Sequence, residues 1–196
     1  MFWPASGLLA VSDLHLGRSE RFARRSGALL PPYETHATLE KLDRDIDATG
    51  ASTVICLGDS FDDLAAANGL DDTYRLWLAR LIAGRTWIWI TGNHDPGPIE
   101  LGGSHRSELG LRPFTFRHIA DPADRAEISG HYHPKAQLAG QWRPCFLVDS
   151  SRLILPAYGT YTGGLRCDDP ALATLMAQDA LAVLTGPRVL AIPMPR

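Results

Sequence analysis

The sequence contains no apolar stretch approaching the roughly 18 to 20 residues that cross a bilayer; charge or turn residues break every apolar run well short of that. No membrane span is expected. Cysteine is scarce, with Cys56, Cys145 and Cys167 making up the complement of 3, so any intramolecular pairing leaves one thiol over. The opening residues Met1-Phe2-Trp3-Pro4 carry neither the basic region nor the small-residue cleavage site of a secretion signal. A reducing, cytoplasmic setting fits these scarcities. Positive charge is not in excess either: 19 basic against 22 acidic residues leave a formal charge of −3 and a pI near 6.1. That balance excludes a protein that grips nucleic acid mainly through a strongly basic surface. Internal repeats, low-complexity tracts and long linkers are absent, so the 196 residues are expected to form a single domain, 1–196.

What is present begins with an alternation of apolar runs and helical patterns. Leu8-Leu9-Ala10-Val11, Thr53-Val54-Ile55-Cys56-Leu57 and Thr86-Trp87-Ile88-Trp89-Ile90 read as buried strands. Between them, Leu39, Leu42 and Ile46 repeat at helical spacing before Gly50, and Leu70, Tyr74, Trp77, Leu78 and Leu81 before Gly84. The order β-α-β-α-β predicts a parallel sheet covered on both faces, with ligands at the carboxyl ends of its strands. Beyond His94 shorter strand candidates take over, at 114–119, 127–129, 145–148 and 152–155. A closing hairpin, 180–184 with 189–192, turns around Gly186-Pro187. A second sheet packed on the first is expected.

Five short polar clusters sit where those strands should end: Asp13-x-His15, Gly58-Asp59, Gly92-Asn93-His94-Asp95, the isolated His118, and Gly130-His131-x-His133. Carboxylate and amide oxygens with imidazole nitrogens suit Mn²⁺, Fe or Zn²⁺ in sites of five or six ligands; a thiolate set for a structural zinc is lacking. Any one cluster could arise by chance, and a lone histidine is more often a satisfied core or surface residue than a ligand. Their joint occurrence decides the matter, since five of the 7 histidines fall in these clusters, just after apolar runs. Two bound divalent cations would also offset the acidic balance of the chain, which keeps a polyphosphate or DNA substrate possible.

In order and spacing these clusters resemble the calcineurin-like metallophosphoesterase superfamily, whose motifs run D-x-H, G-D, G-N-H-D, a lone H and G-H-x-H. The resemblance implies an α/β fold, a four-layer α-β-β-α sandwich of two mixed sheets flanked by helices. It implies that Asp13, His15 and His133 bind one metal, that Asn93, His118 and His131 bind the other, and that Asp59 bridges them. His105, in a Gly/Ser-rich stretch read as a loop, is the alternative to His118. By the same resemblance His94 faces the leaving group as an acid or transition-state stabiliser, with Asp95 orienting its imidazole. Two such cations lower the pKa of a bridging water, orient the phosphate in line and neutralise charge on its oxygens.

A narrower resemblance, to the bacterial ligase-associated DNA-damage-response endonuclease family, rests on three segments. These are Arg24-Arg25-Ser26-Gly27-Ala28-Leu29-Leu30-Pro31-Pro32-Tyr33, Leu57-Gly58-Asp59-Ser60-Phe61, and the run from Leu155-Pro156-Ala157-Tyr158 to Gly163-Gly164. It implies a phosphodiesterase using two divalent metal ions, with Mn²⁺ favoured over Fe or Zn²⁺, that acts as an endonuclease on DNA. An ATP-dependent DNA ligase, a helicase and an exonuclease would be its partners. Asp62 stands where that family has a histidine. Arg18, Arg21, Arg24 and Arg25 are candidates to hold substrate phosphates, against the plain reading of a solvated face. Tyr158 and Tyr161 are candidates to stack on splayed bases, against ordinary packing or turn roles. Two further functions compete with DNA cleavage. One is hydrolysis of a small phosphoanhydride, such as a sugar nucleotide or dinucleoside polyphosphate, which would want an enclosing lid. The other is a partner-binding scaffold, which the filled ligand positions and His94 argue against.

Overall fold

The computed structural model describes residues 1–27, 29–95, 97 and 100–195; Ala28, within the first of the three family-like segments, lies outside them. In chain order the strands are β1 (Phe2–Trp3), β2 (Leu8–Val11), β3 (Thr53–Leu57), β4 (Thr86–Ile90), β5 (Ser104–Arg106), β6 (Glu108–Leu111) and β7 (Phe114–Arg117). They continue with β8 (Glu127–Ser129), β9 (Lys135–Leu138), β10 (Gln141–Val148), β11 (Arg152–Ile154), β12 (Leu181–Leu184) and β13 (Leu190–Pro193). The helices are α1 (Arg18–Ser26), α2 (Glu34–Thr49), α3 (Leu64–Asn68), α4 (Asp72–Ile82) and α5 (Pro170–Leu175).

One sheet has the order β1-β2-β3-β4-β5, in which β2 to β5 run parallel and β1 is antiparallel. Its three apolar strands carry two different cores, because successive side chains leave a strand on opposite faces. Leu9, Val11, Val54, Cys56, Trp87 and Trp89 pack against Leu39, Leu42, Ile46, Leu78 and Leu81 of α2 and α4. The alternate set, Leu8, Ala10, Ile55, Leu57, Ile88 and Ile90, packs against Phe116, Ile128 and Leu155 of the other sheet. Burial on both faces is why these strands read as unbroken apolar runs rather than alternating ones. Helices cover only one of the two faces; the second sheet covers the other.

The second sheet has the path β13-β12-β10-β11-β8-β7-β6, with β9 paired to β10, and mixes parallel pairs (β7 with β8, β8 with β11) with antiparallel ones. Its outer face is closed by Leu172 and Met176 in and after α5, packed on Ala136, Cys145, Leu147, Ile154, Ala182 and Leu184. The layers are therefore helix, sheet, sheet, helix, a four-layer α-β-β-α sandwich. The C-terminal hairpin forms as expected, β12 pairing antiparallel with β13. Among the described residues no helix is long and apolar enough to cross a membrane. All three cysteines are buried free thiols; desolvation pushes the Cys56 thiol far above its ordinary pKa, which fits an inert filler.

One turn of the second sheet is held by charge. Between β10 and β11 the Asp149 carboxylate accepts from Ser151 N (2.7 Å), Ser151 Oγ (3.0 Å) and Arg152 N (2.8 Å), and from Ala177 N (2.8 Å) after α5. Burial raises its pKa, but the bonds from Ala177, Ser151 and Arg152 outweigh it and leave the group below its ordinary value. A folded pKa depressed in this way adds stability above the unfolded value, near 4, and loses it as pH falls. Asp149→Asn should therefore cost about 1 kcal/mol at neutral pH. The gap to the parent, measured by urea unfolding at several pH values, should close in acid.

Candidate metal centre

Three parallel strands of the first sheet, β2, β3 and β4, deliver Asp13 and His15, Asp59, and Asn93 and His94 just beyond their carboxyl ends. From the second sheet, β7 delivers His118 and β8 delivers His131 and His133. Two groups result: Asp13, His15 and His133 offer ligand atoms within 4.8 Å of one another, and so do Asp59, His118 and His131. Asn93 joins the second group, its Oδ1 lying 3.0 Å from His118 Nε2. His105 is in neither. It lies in β5, stacked on Trp89 at 6.5 Å between ring centroids, and so occupies a strand rather than the expected loop. His36 is exposed on α2, its ring 5.2 Å from that of Trp77.

Hydrogen bonds and ion-pair contacts show which atoms of His118, Asp13 and His15 are left for a cation. The Leu57 carbonyl lies 2.8 Å from His118 Nδ1; a carbonyl only accepts, so Nδ1 carries the hydrogen and Nε2 keeps its lone pair. That Nε2 meets His131 Nδ1 at 3.3 Å and Asp59 Oδ2 at 3.4 Å. Asp13 Oδ2 accepts from Ser12 Oγ and from His131 N (3.0 Å). Its Oδ1, buried and without a hydrogen bond, faces His133 Nε2 at 3.1 Å. His15 Nδ1 lies 2.8 Å from Asp62 Oδ1, leaving buried Nε2 with no partner. Lone pairs and orphaned buried atoms that converge in this way repel one another unless a cation sits among them. The residues fit two divalent metal ions, with a carboxylate behind His15 and a carbonyl behind His118 to hold each ring.

The titration behaviour agrees with an electronegative centre. Burial raises the Asp13 carboxyl, yet the adjoining His133 and the charge of His118 outweigh it and leave the group below its ordinary value. Asp59 is likewise raised by burial but brought down to about 2 by His118 and the His94 amide. Burial lowers His118, but Asp59 and Asp13 reverse the shift and raise it. His131 is lowered, by burial and then by the neighbouring His118 charge.

The backbone is bent to make this possible. Asp13 (φ 55°), His15 (φ 47°), Asp59 (φ 47°), His131 (φ 72°) and His133 (φ 48°) all adopt left-handed conformations. Asp and His tolerate that region better than most residues, though at a cost of order 1–3 kcal/mol each. Close approach explains two motif glycines: a Cβ on Gly92 would overlap Asp59, and one on Gly130 would overlap Ser12 Oγ.

His94 and Asp95 do not form the expected pair. Asp95 is buried, and its carboxylate accepts from Asp59 N (3.0 Å), Ser60 N (2.8 Å), Phe61 N (3.1 Å) and Gly92 N (3.0 Å). It shapes the loop that carries Asp59. Burial, opposed by these amides and assisted by the Asp59 charge, pushes its pKa up to about 6. The His94 imidazole is instead oriented by the Asp62 carbonyl, 3.0 Å from Nδ1, while His94 N donates to Asp59 Oδ1 at 2.8 Å. Asp95→Asn turns an NH₂ toward backbone donors and should cost about 1–2 kcal/mol. It should also weaken metal binding roughly 10-fold, measurable by titration calorimetry.

The four arginines of α1 are engaged by the protein itself. Arg18 Nη1 and Arg21 Nη1 reach the two oxygens of buried Asp62 at 2.9 and 2.8 Å. Arg24 and Arg25 reach Asp63 at 3.0 and 3.6 Å. Arg18 and Arg21 reach the first group through Asp62, which also meets His15, and all four are paired. Burial raises Asp62, while His15, Arg21 and Arg18 outweigh it and hold the carboxyl far below its ordinary range. Tyr158 is also committed: its hydroxyl donates to Asp45 Oδ2 at 2.6 Å and Lys41 Nζ sits 3.7 Å from its ring centroid. It packs rather than stacks. Sequence reasoning missed the orienting roles of Ser12, the Leu57 carbonyl and Asp62. Backbone groups carry no sequence signal; Asp62, three residues past Asp59, was noticed only as a departure from a pattern.

Comparison with known proteins bears on the family of the chain. No curated protein matches the chain. Among solved structures, the Pseudomonas putida nuclease MPE superposes with a TM-score of 0.77 at 29% identity, covering 97% of this chain and 90% of that one. Yfce, a phosphoesterase from E. coli, gives a TM-score of 0.43 at 11% identity, covering 96% of this chain and 99% of that one. The model of the calcineurin-like phosphoesterase family matches residues 7–176. The chain belongs to the calcineurin-like phosphoesterase family and is a metal-dependent phosphoesterase.

Proposed function

We propose that the enzyme is a phosphodiesterase that cleaves DNA internally and works in bacterial DNA repair in the cytoplasm. The observation that carries the substrate is the likeness, along 97% of the chain, to a protein named a nuclease. Exposure is consistent with a polymer: the His94 side chain is 31% exposed and His133 14%, while Asp13 is wholly buried, so solvent reaches the centre from the His94 side. The repair setting, with an ATP-dependent ligase, a helicase and an exonuclease as companions, rests on the motif resemblance.

In this reading Asp13, His15 and His133 hold one cation, Asn93, His118 and His131 hold the other, and Asp59 lies between them. Oxygen and nitrogen donors without thiolate admit Mn²⁺, Fe or Zn²⁺; the resemblance favours Mn²⁺. When bound, two such ions lower the pKa of a water and neutralise charge developing on the phosphate. His94 keeps its Nδ1 hydrogen on the Asp62 carbonyl, which points Nε2 outward beside Asp59 Oδ2, 4.0 Å away. Protonated there, the ring donates to the departing oxygen; Asp62 and Asp95 act by positioning.

The test is nicking of circular single-stranded and supercoiled DNA by purified protein with Mn²⁺, with a chelator and His94→Ala as controls. Cleavage lost in both controls is the expected result. DNA left intact by protein that binds two metal ions would overturn the reading and direct the search to small phosphoanhydrides.

A further inference from the structure

The loop that follows β11 passes both ligand-bearing loops of the first metal group. At one end Tyr158 N donates to Ser12 O at 2.8 Å and Gly159 N to Asp13 O at 3.1 Å. At the other, Leu165 N donates to Tyr132 O at 3.1 Å, between His131 and His133, and Lys135 N donates to Leu165 O at 2.9 Å. Midway the loop is pinned to α2, where Thr38 Oγ1 accepts from Thr160 N at 3.2 Å. The next residue, Tyr161, adopts φ 60°, a conformation unusual for an aromatic side chain. Its ring is 36% exposed and sits 6.1 Å, centroid to centroid, from that of Tyr33, which is 58% exposed just before α2.

Two large aromatic rings are thus left facing solvent at the rim of a phosphoester site. The Tyr161 side chain is hydrogen-bonded to that of Tyr33, and a non-glycine residue held in the left-handed region is a feature that clusters at functional sites. Lys135 Nζ donates to Thr162 O at 3.2 Å, which places a cation at the residue that follows Tyr161, a charge suited to a backbone phosphate. From this arrangement we infer that Tyr161 and Tyr33 form a stacking platform for an unpaired base of single-stranded nucleic acid whose phosphodiester lies in the metal centre. A base within a duplex has both faces covered by its neighbours, whereas an unpaired one offers a face to a tyrosine. The platform therefore selects single strands, or duplex regions that have opened, without reading sequence. This inference rests on the nuclease reading.

The experiment compares KM and kcat of the parent, Tyr161→Ala, Tyr161→Phe and Tyr33→Ala on an oligothymidylate and on the same oligonucleotide with abasic sugars around the cut. Stacking predicts that Tyr161→Ala raises KM for oligothymidylate roughly 10-fold with little change in kcat. Tyr33→Ala should act in the same direction and Tyr161→Phe should restore the parent value. On the abasic strand the parent and both alanine variants should coincide. An equal loss on both substrates would mean that the rings only support the loop, and no loss on either would mean that they do nothing; both results overturn the platform while leaving the nuclease intact. Failure of the parent itself to cut any oligonucleotide would overturn the nuclease reading, and the platform with it.

Discussion

Asp59→Asn should lower phosphodiester hydrolysis on the order of 10³-fold or more and reduce bound metal from two ions per chain to one at most. The substitution keeps size and shape. Asp59 Oδ1, which accepts from His94 N at 2.8 Å, can be replaced there by the amide oxygen. Oδ2 cannot, because an NH₂ group has no lone pair to offer a cation and would instead donate to the His118 Nε2 lone pair, 3.4 Å away, occupying an atom that a cation needs. Stability should consequently change little while metal content and rate collapse together. Elemental analysis of the purified variant, combined with its rate on a chromogenic diester, checks both. A variant that keeps two metal ions and a rate within ten-fold of the parent would remove Asp59 from the centre.

The second large effect belongs to a residue that touches no metal in the proposed scheme. Asp62 is fully buried and receives His15 Nδ1, Arg18 Nη1 and Arg21 Nη1, all within 2.9 Å. Asp62→Asn removes the charge that holds two guanidinium groups side by side and gives the His15 ring a weaker acceptor. Breaking a buried pair by removing one partner costs about 3–5 kcal/mol. Both arginines retain about a fifth of their surface in water, so the loss should lie near 3 kcal/mol. Metal affinity should fall roughly 10- to 100-fold, as for other residues that orient a ligating histidine. Urea unfolding and metal titration separate the two losses, and a variant as stable as the parent would contradict the account of Asp62.

Much of this was legible in the residues. The strands β2, β3 and β4 begin and end where their sequence runs do, because burial on both faces leaves no position for a polar side chain beyond the first residue of β3 and β4. The metal motifs were legible for a related reason: each follows such a run, and a parallel sheet gathers all its carboxyl ends on one edge. The strands β5, β6 and β9 were not. Ser104-His105-Arg106 has no apolar pattern, since β5 is an edge strand held by backbone bonds to β4, and β6 is mostly exposed. The pairing of the α1 arginines was not legible, because their acids, Asp62 and Asp63, stand some forty residues away in sequence and meet them only through the fold. Asp95 misled through adjacency, since a carboxylate next to His94 in the chain points, once folded, into the loop beneath it.

The pairing of those arginines reaches beyond the fold. A protein that grips a polyanion with free cations releases the strand's condensed counterions, and its affinity falls steeply as salt rises, by about 0.7 in the logarithmic slope per neutralised phosphate of a single strand. Here the four charges of Arg18, Arg21, Arg24 and Arg25 are offset by three carboxylates, Asp62, Asp63 and Glu20, so about one of the four is left to exchange for counterions. Binding then depends on coordination at the centre and contact at its rim, both of short range. On the proposed nuclease reading, affinity for a single strand should fall only weakly as ionic strength climbs. Short-range geometry, more than long-range attraction, would then decide which encounters are productive.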